Sequence, residues 1–146
     1  MVHHDLGSDS GQKIDVFNGT ITLKKGVRSM IIGKDQEVEA QTIDSPEVKN
    51  AKMKVLISPA EGWTDHVMRV IELGDGEGYS PKHTHDWPHI NYVLEGQGVL
   101  HVDGEDTSVE AGSYAFVPPG SHHQFRNAGS GTFRFICIVP KEGHIT

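Results

Sequence analysis

The fold class this sequence predicts is all-β, and three observations carry the prediction. Short apolar runs alternate with polar residues at the period of a strand, and clusters of turn residues separate them at even spacing. Seventeen glycines and seven prolines punctuate the 146 residues, which favours turns over long helices. Such a strand-turn rhythm suits a sandwich or a barrel. The length allows one core and is short for two ordinary domains.

Residues 1–13 are polar and Gly/Ser-rich and read as a flexible N-terminal tail, with His3 and His4 in solvent. KIDVFNG and TITLKKG follow as short strands joined at Asn18-Gly19, a dipeptide suited to a tight hairpin. VRSMIIG offers a third strand. KDQEVEAQTIDSPEVKN is charged and poorly periodic, a connecting loop with one short strand and room for a helical turn after Asp44-Ser45-Pro46. Residues 14–49 are thus N-terminal strands and a connecting loop. Residues 50–146 carry the stronger signal. There KMKVLIS, HVMRVIEL, HINYVLEG, GVLHVDG, SYAFVPP and TFRFICIVP are strand-like, and SPAEG, GDGEG, EGQG, DGED and NAGSG are the turns between them. Asp103-Gly104 is expected to turn a hairpin. No internal repeat is evident.

Twenty acidic residues against thirteen basic ones give a formal charge of -7. That balance repels phosphate backbones and anionic lipid surfaces, so nucleic acid and membrane are poor partners. No apolar run approaches the roughly 20 residues that span a bilayer. The first residues lack the apolar stretch of a signal peptide, so a cytoplasmic location is the default expectation. The one cysteine, Cys137, cannot form an intramolecular disulfide and fits a reducing compartment.

Chemistry concentrates in the histidines. In GEGYSPKHTHDWPHINYVLEGQG, His83 and His85 are two apart, and on a strand both imidazoles would leave the same face. His89 follows across the Asp86-Trp87-Pro88 break. In GSYAFVPPGSHHQFRN, Pro118-Pro119-Gly120 forces a turn before His123. Two neighbouring strands could jointly hold one metal ion with this set. His122 falls on the opposite face from His123, and His66 and His101 lie outside the pattern; all three read as ordinary polar histidines.

The spacing resembles the two motifs of the cupin superfamily. Gly78, four residues, His83-Thr84-His85, three residues, His89, six residues and Gly96 follow the first motif. The opening interval is one residue short from Gly78 and one long from Gly76. Gly112, Pro118, Gly120, His123 and Asn127 meet the second motif without deviation. Most metal-binding cupins carry a glutamate where this chain has His89. A subset of small single-domain cupins has four histidines instead, and FRFICIVPKEG also looks like their C-terminal run. The resemblance covers roughly residues 50–144. It implies a double-stranded β-helix, the jelly-roll or cupin barrel, with extra N-terminal strands. In this superfamily such strands often pair with a neighbouring subunit. The resemblance therefore implies a homodimer, with residues around 14–33 at its interface, the alternative being that they extend the chain's own sheet.

Four neutral imidazoles suit one divalent transition metal: manganese or iron for activity, with nickel, copper, cobalt or zinc also compatible. Calcium and magnesium would ask for oxygen donors. An octahedral ion held by four side chains keeps two positions for ligands. Asn91 and Val93 should share the inward face of His89, with Ile90, Tyr92 and Leu94 pointing away. Asn91 would then orient a ligand or serve as a core amide. Phe125 and Cys137 are candidate pocket walls, and Trp87 is a candidate rim.

No carboxylate accompanies the ligands, and Asp86 should point away from His85, so a general base is lacking. This favours a metal-dependent oxygenase or dioxygenase acting on a small enolisable or alkene-bearing molecule. One alternative is a sugar or uronate isomerase that stabilises an enediolate. Another is a non-catalytic ligand-binding module with a structural metal. No G-x-S-x-G, P-loop or dinucleotide fingerprint is present.

Overall fold

The structure is a computed structural model that describes residues 13–17, 20–25 and 28–144, with side chains described from Met30 onward. The expected tail, the His3-His4 pair and the Asn18-Gly19 turn lie outside the described residues. Contacts divide the chain into two compact units, one ending at Glu39 and the other beginning at Ala40.

In the first unit β1 (Lys13–Phe17), β2 (Thr20–Lys25) and β3 (Arg28–Gly33) form a three-stranded antiparallel sheet in sequence order. The second unit holds β4 (Gln41–Thr42), β5 (Ala51–Ile57), β6 (His66–Leu73), β7 (His89–Glu95) and β8 (Gln97–Val102). It continues with β9 (Glu105–Glu110), β10 (Tyr114–Val117), β11 (His123–Asn127) and β12 (Phe133–Pro140). A six-stranded sheet in the order β10-β7-β12-β6-β5-β4 and a three-stranded sheet in the order β11-β8-β9 make a jelly-roll barrel.

Period-two alternation explains the core. On β12, Phe133, Phe135, Cys137 and Val139 are buried while their neighbours are half-buried. Val67, Ile71 and Leu73 are buried on one phase of β6, and Val70 is buried on the other. Phe125 of β11 stacks on Phe135 with ring centroids 4.3 Å apart, which joins the two sheets. Gly98 on β8 is required at this packing: a Cβ there would collide with the Phe133 ring.

Some expectations change. Residues 40–49 belong with the barrel, not with the N-terminal strands. β4 pairs with β5, Lys49 bridges Tyr79, and Ile43 and Val48 pack on the core. Apolar Ile43 and Val48 were obscured by the charges around them. No helical turn follows Pro46; a plain turn stands there, and 3-10 turns occur instead at Asp35–Glu37, Pro59–Glu61 and Lys141–Gly143. β9 is the second arm of the hairpin expected at Asp103-Gly104; its residues are mostly exposed and polar, and pairing with β8 defines it.

Candidate metal centre and cavity

His83 and His85 do not sit on a regular strand. They lie on an extended segment before β7 that is tied to β11 by isolated bridges. His83 exchanges both backbone hydrogen bonds with His123, at 3.1 and 3.0 Å, and Gly120 N–H donates to the His85 carbonyl at 2.8 Å. Farther along, Ser80 N–H donates to the Phe125 carbonyl and the Ser80 hydroxyl accepts from Phe125 N–H, both at 2.9 Å. These bonds, with no ladder, place the two imidazoles beside His123.

The ligand-capable nitrogens of His83, His85 and His123 all lie within 4.8 Å of one another. His89, at the start of β7, brings its Nε2 to 2.9 Å from His123 Nε2. Ring centroids of His85 and His89 both stand 4.7 Å from that of His123.

Which nitrogen carries each proton follows from the acceptors. His85 Nδ1 lies 2.7 Å from the Trp87 carbonyl and His123 Nδ1 lies 3.0 Å from the Ser121 carbonyl. A carbonyl only accepts, so both Nδ1 atoms are the donors. His89 Nδ1 lies 2.7 Å from Asn91 Oδ1, and Asn91 is oriented by donating from Nδ2 to the Ile136 carbonyl at 3.3 Å. The Nε2 atoms of His89 and His123 therefore face each other as bare lone pairs. That arrangement is unfavourable unless a cation is shared; His83, His85 and His123 form the cluster that could hold one, and His89 lies outside that group of three although its Nε2 reaches His123 Nε2. Second-partner hydrogen bonds of this kind typically fix metal-binding histidines. The three-histidine cluster allows a metal ion.

Burial lowers the basicity of all four rings. Desolvation, reinforced by the neighbouring imidazoles, holds His83 and His123 down at about 4. Desolvation also lowers His85 and His89, against the raising effect of the Trp87 and Asn91 hydrogen bonds. The set is neutral near pH 7, as metal binding needs.

A cavity of about 210 Å³ opens on this cluster. Phe125, Cys137 and Trp87 line it, together with Met53, Ile71 and Phe135. Trp87 stacks on His85 at 4.7 Å and 7°. Gly143 of the C-terminal turn packs so closely on Trp87 that a Cβ would strike the indole. Asn91 is buried but does not line the cavity; both ends of its amide are engaged, so it orients His89. Asn127 of the second motif clamps backbone, its Nδ2 lying 2.8–3.0 Å from the carbonyls of Leu73, Gly74 and Gly131. His101 pairs with Asp106 at 2.7 Å, His66 stacks on Trp63, and His122 and Asp86 are exposed, all away from the cluster.

One lining residue escaped sequence reasoning. Arg69 on β6 faces the cavity, in phase with buried Val67, Ile71 and Leu73. The signal was there in HVMRVIEL: a cation on the apolar phase of a strand.

An antiparallel jelly-roll with clustered histidines at one end of its cavity defines a class of small β-barrel proteins suited to metal binding. Comparison with known proteins sharpens this. A family model described as Cupin domain matches residues 69–139. The polyketide cyclase RemF from Streptomyces resistomycificus is similar in structure, with TM-score 0.71, 30% identity, and coverage of 77% of this chain and 80% of that one. The oxalate-binding protein of Thermotoga maritima is 34% identical over 50 residues, 34% of this chain and 41% of that protein. The chain thus spans about two fifths of that relative's length. Tetracenomycin polyketide synthase protein TcmJ of Streptomyces glaucescens is 29% identical over 100 residues, 63% of this chain and 66% of that protein. The chain belongs to the cupin superfamily.

Proposed function

We propose that His83, His85, His89 and His123 together hold one divalent transition metal, manganese or iron in the active protein. The chain uses it as an oxygenase on a small enolisable or alkene-bearing molecule. The observation that carries this reading is the convergence of bare Nε2 atoms on the cavity while carbonyl and amide oxygens hold the Nδ1 protons. When bound, the ion supplies Lewis acidity and one-electron redox chemistry. The chain's own residues do the rest. Phe125, Phe135 and Trp87 give the cavity apolar walls, and Asn91 keeps the His89 ring in one orientation. Among the described lining residues there is no Asp or Glu, and the nearest carboxylate felt by the cluster, Glu47, stands outside the lining, which favours oxygen chemistry over proton-shuttling isomerisation.

A second reading has its own support. RemF is named a polyketide cyclase, and a related chain could close a ring on an enolisable polyketone without oxygen. An isomerase acting through an enediolate would likewise work without oxygen, and a binding module would not turn over at all. Metal-reconstituted protein offered 2-oxo acids, β-diketones and a uronate separates these, with oxygen uptake recorded in air and products analysed in air and under argon. Oxygen-dependent product is expected. Product under argon supports the cyclase or isomerase reading. Binding without turnover supports the module, and no binding with any of Mn, Fe, Ni or Cu defeats the metal reading.

The chain also works as a homodimer in this reading. Support comes from the outer face of β7 and the edge strand β10, where Ile90 (55% exposed) lies opposite Phe116 (64%) and Tyr92 (47%) opposite Tyr114 (82%). Contiguous apolar surface of this kind marks contact sites. The expected interface at residues 14–33 involves side chains mostly outside the described residues. Light scattering of wild type and Tyr114→Asp tests the outer face: a dimer that becomes a monomer is expected, and an unchanged dimer removes this support. Buried, unpaired Cys137 suits a reducing cytoplasm.

A further inference from the structure

Arg69 occupies a position that an arginine seldom holds without a partner. It stands on the inward phase of β6 between Val67 and Ile71, both buried, and directly opposite Cys137 of β12. Its Nη2 donates to Cys137 Sγ at 3.2 Å, and a thiol sulfur is a weak acceptor. Its Nε is enclosed by protein and meets no acceptor. The other barrel arginines differ. Arg126 pairs with Asp106 at 3.0 Å, and Arg134 reaches Glu72 at 3.6 Å and Glu95 at 3.5 Å. No carboxylate of the described residues lies within ion-pair distance of Arg69, and none lines the cavity.

A charged group left unpaired against apolar walls is costly, and the cost is removed when an opposite charge arrives. The cavity lining is neutral or positive, with four imidazoles on one wall and a guanidinium on another, and the nearby negative charge of Glu47 acts on His83 and forms no ion pair with Arg69. The missing negative charge has to come with the ligand.

We infer that Arg69 anchors a carboxylate of the ligand held at the histidine site, so that this chain selects small carboxylate anions of 2-oxo-acid size over neutral dicarbonyls of the same shape. This inference rests on the metal-binding reading above. The planar guanidinium offers paired N–H donors to a carboxylate, and low-polarity surroundings strengthen the contact. Cys137 holds the side chain in place until the ligand displaces its weak bond.

The test uses the full chain loaded with manganese and titrated calorimetrically with pyruvate and with butane-2,3-dione, which replaces the carboxylate by a neutral acetyl group. Manganese affinity is measured first on each protein. Wild type should bind pyruvate more tightly than the dione. Arg69→Met and Arg69→Gln should each weaken pyruvate binding about tenfold or more while leaving dione binding and manganese affinity within twofold. Arg69→Lys should fall between, keeping the charge without the fork. Unchanged pyruvate affinity in a neutral variant that still binds manganese overturns the inference. So does loss of manganese or of fold in both neutral variants, because Arg69 is then structural. Failure of wild type to bind manganese or iron is a different result: it defeats the metal reading itself.

Discussion

Two walls of one cavity treat their hydrogen-bond donors in opposite ways. On the histidine wall, His85, His89 and His123 each give their Nδ1 proton to a fixed oxygen, from Trp87, Asn91 and Ser121. On the facing β6–β12 wall, Arg69 has one weak acceptor in Cys137 and an enclosed Nε with none. The first wall is finished by the protein and points lone pairs inward. The second leaves a donor and a charge unanswered. Satisfied donors hold ligand atoms for something permanent, whereas an unsatisfied one suits something that comes and goes.

Breaking the first wall should cost most. His123→Ala removes the ring that meets both His83 and His89. Metal affinity, read by competition with a chromogenic chelator, should fall by more than the hundredfold upper range of an outer-partner mutation. Next comes Asn91→Ala, which leaves the His89 ring without its acceptor. Metal affinity should drop about 10- to 100-fold, and the fold should lose about 1–3 kcal/mol from the unpaired buried donor, read by urea unfolding of metal-free protein.

Acid should produce a smaller, graded effect on the metal-free protein. Folding holds His83 and His123 at about 4, below the ordinary histidine value of 6.5 that applies when the chain is unfolded. Between these values the unfolded chain binds more protons, so stability falls with falling pH. It should be full above about 6.5, decline through the window from 6.5 to 4, and level off below. Bound metal should suppress the decline until the ion is lost, which thermal melts across pH would record. The smallest effect belongs to His101→Ala. That ring sits outside the cavity, paired with Asp106, and its loss should leave metal affinity unchanged in the chelator assay.

Much of this arrangement was legible because it is written in local spacing. The glycine, proline and histidine intervals around His83–Gly96 and Gly112–Asn127 mark turns and ligand phases, and both are backbone properties. Phe125 and Cys137 could be placed on the cavity wall by period two alone. What stayed hidden depends on partners distant in sequence. That His83 and His85 lie off any regular strand follows from hydrogen bonds to His123 and Gly120. Whether Asn91 meets ligand or ring depends on Ile136, forty-five residues away. Arg69 was passed over because an arginine in a strand is usually a surface residue; its phase in HVMRVIEL pointed inward, and the register with Cys137 establishes it.

Strand β7 carries His89, Asn91 and Val93 on one side and Ile90 and Tyr92 on the other. A slip of one position exchanges the two sides of a strand completely, which is why a strand with one buried face is held firmly in register. In the slipped chain His89 would face water and Ile90 would take its place at the cavity. No ion could then collect its ligands from both β7 and β11. Metal capture would therefore proofread strand alignment: refolding with the ion present should draw misaligned chains toward the correct pairing, so that the site acts as an inspector of the barrel as well as its product.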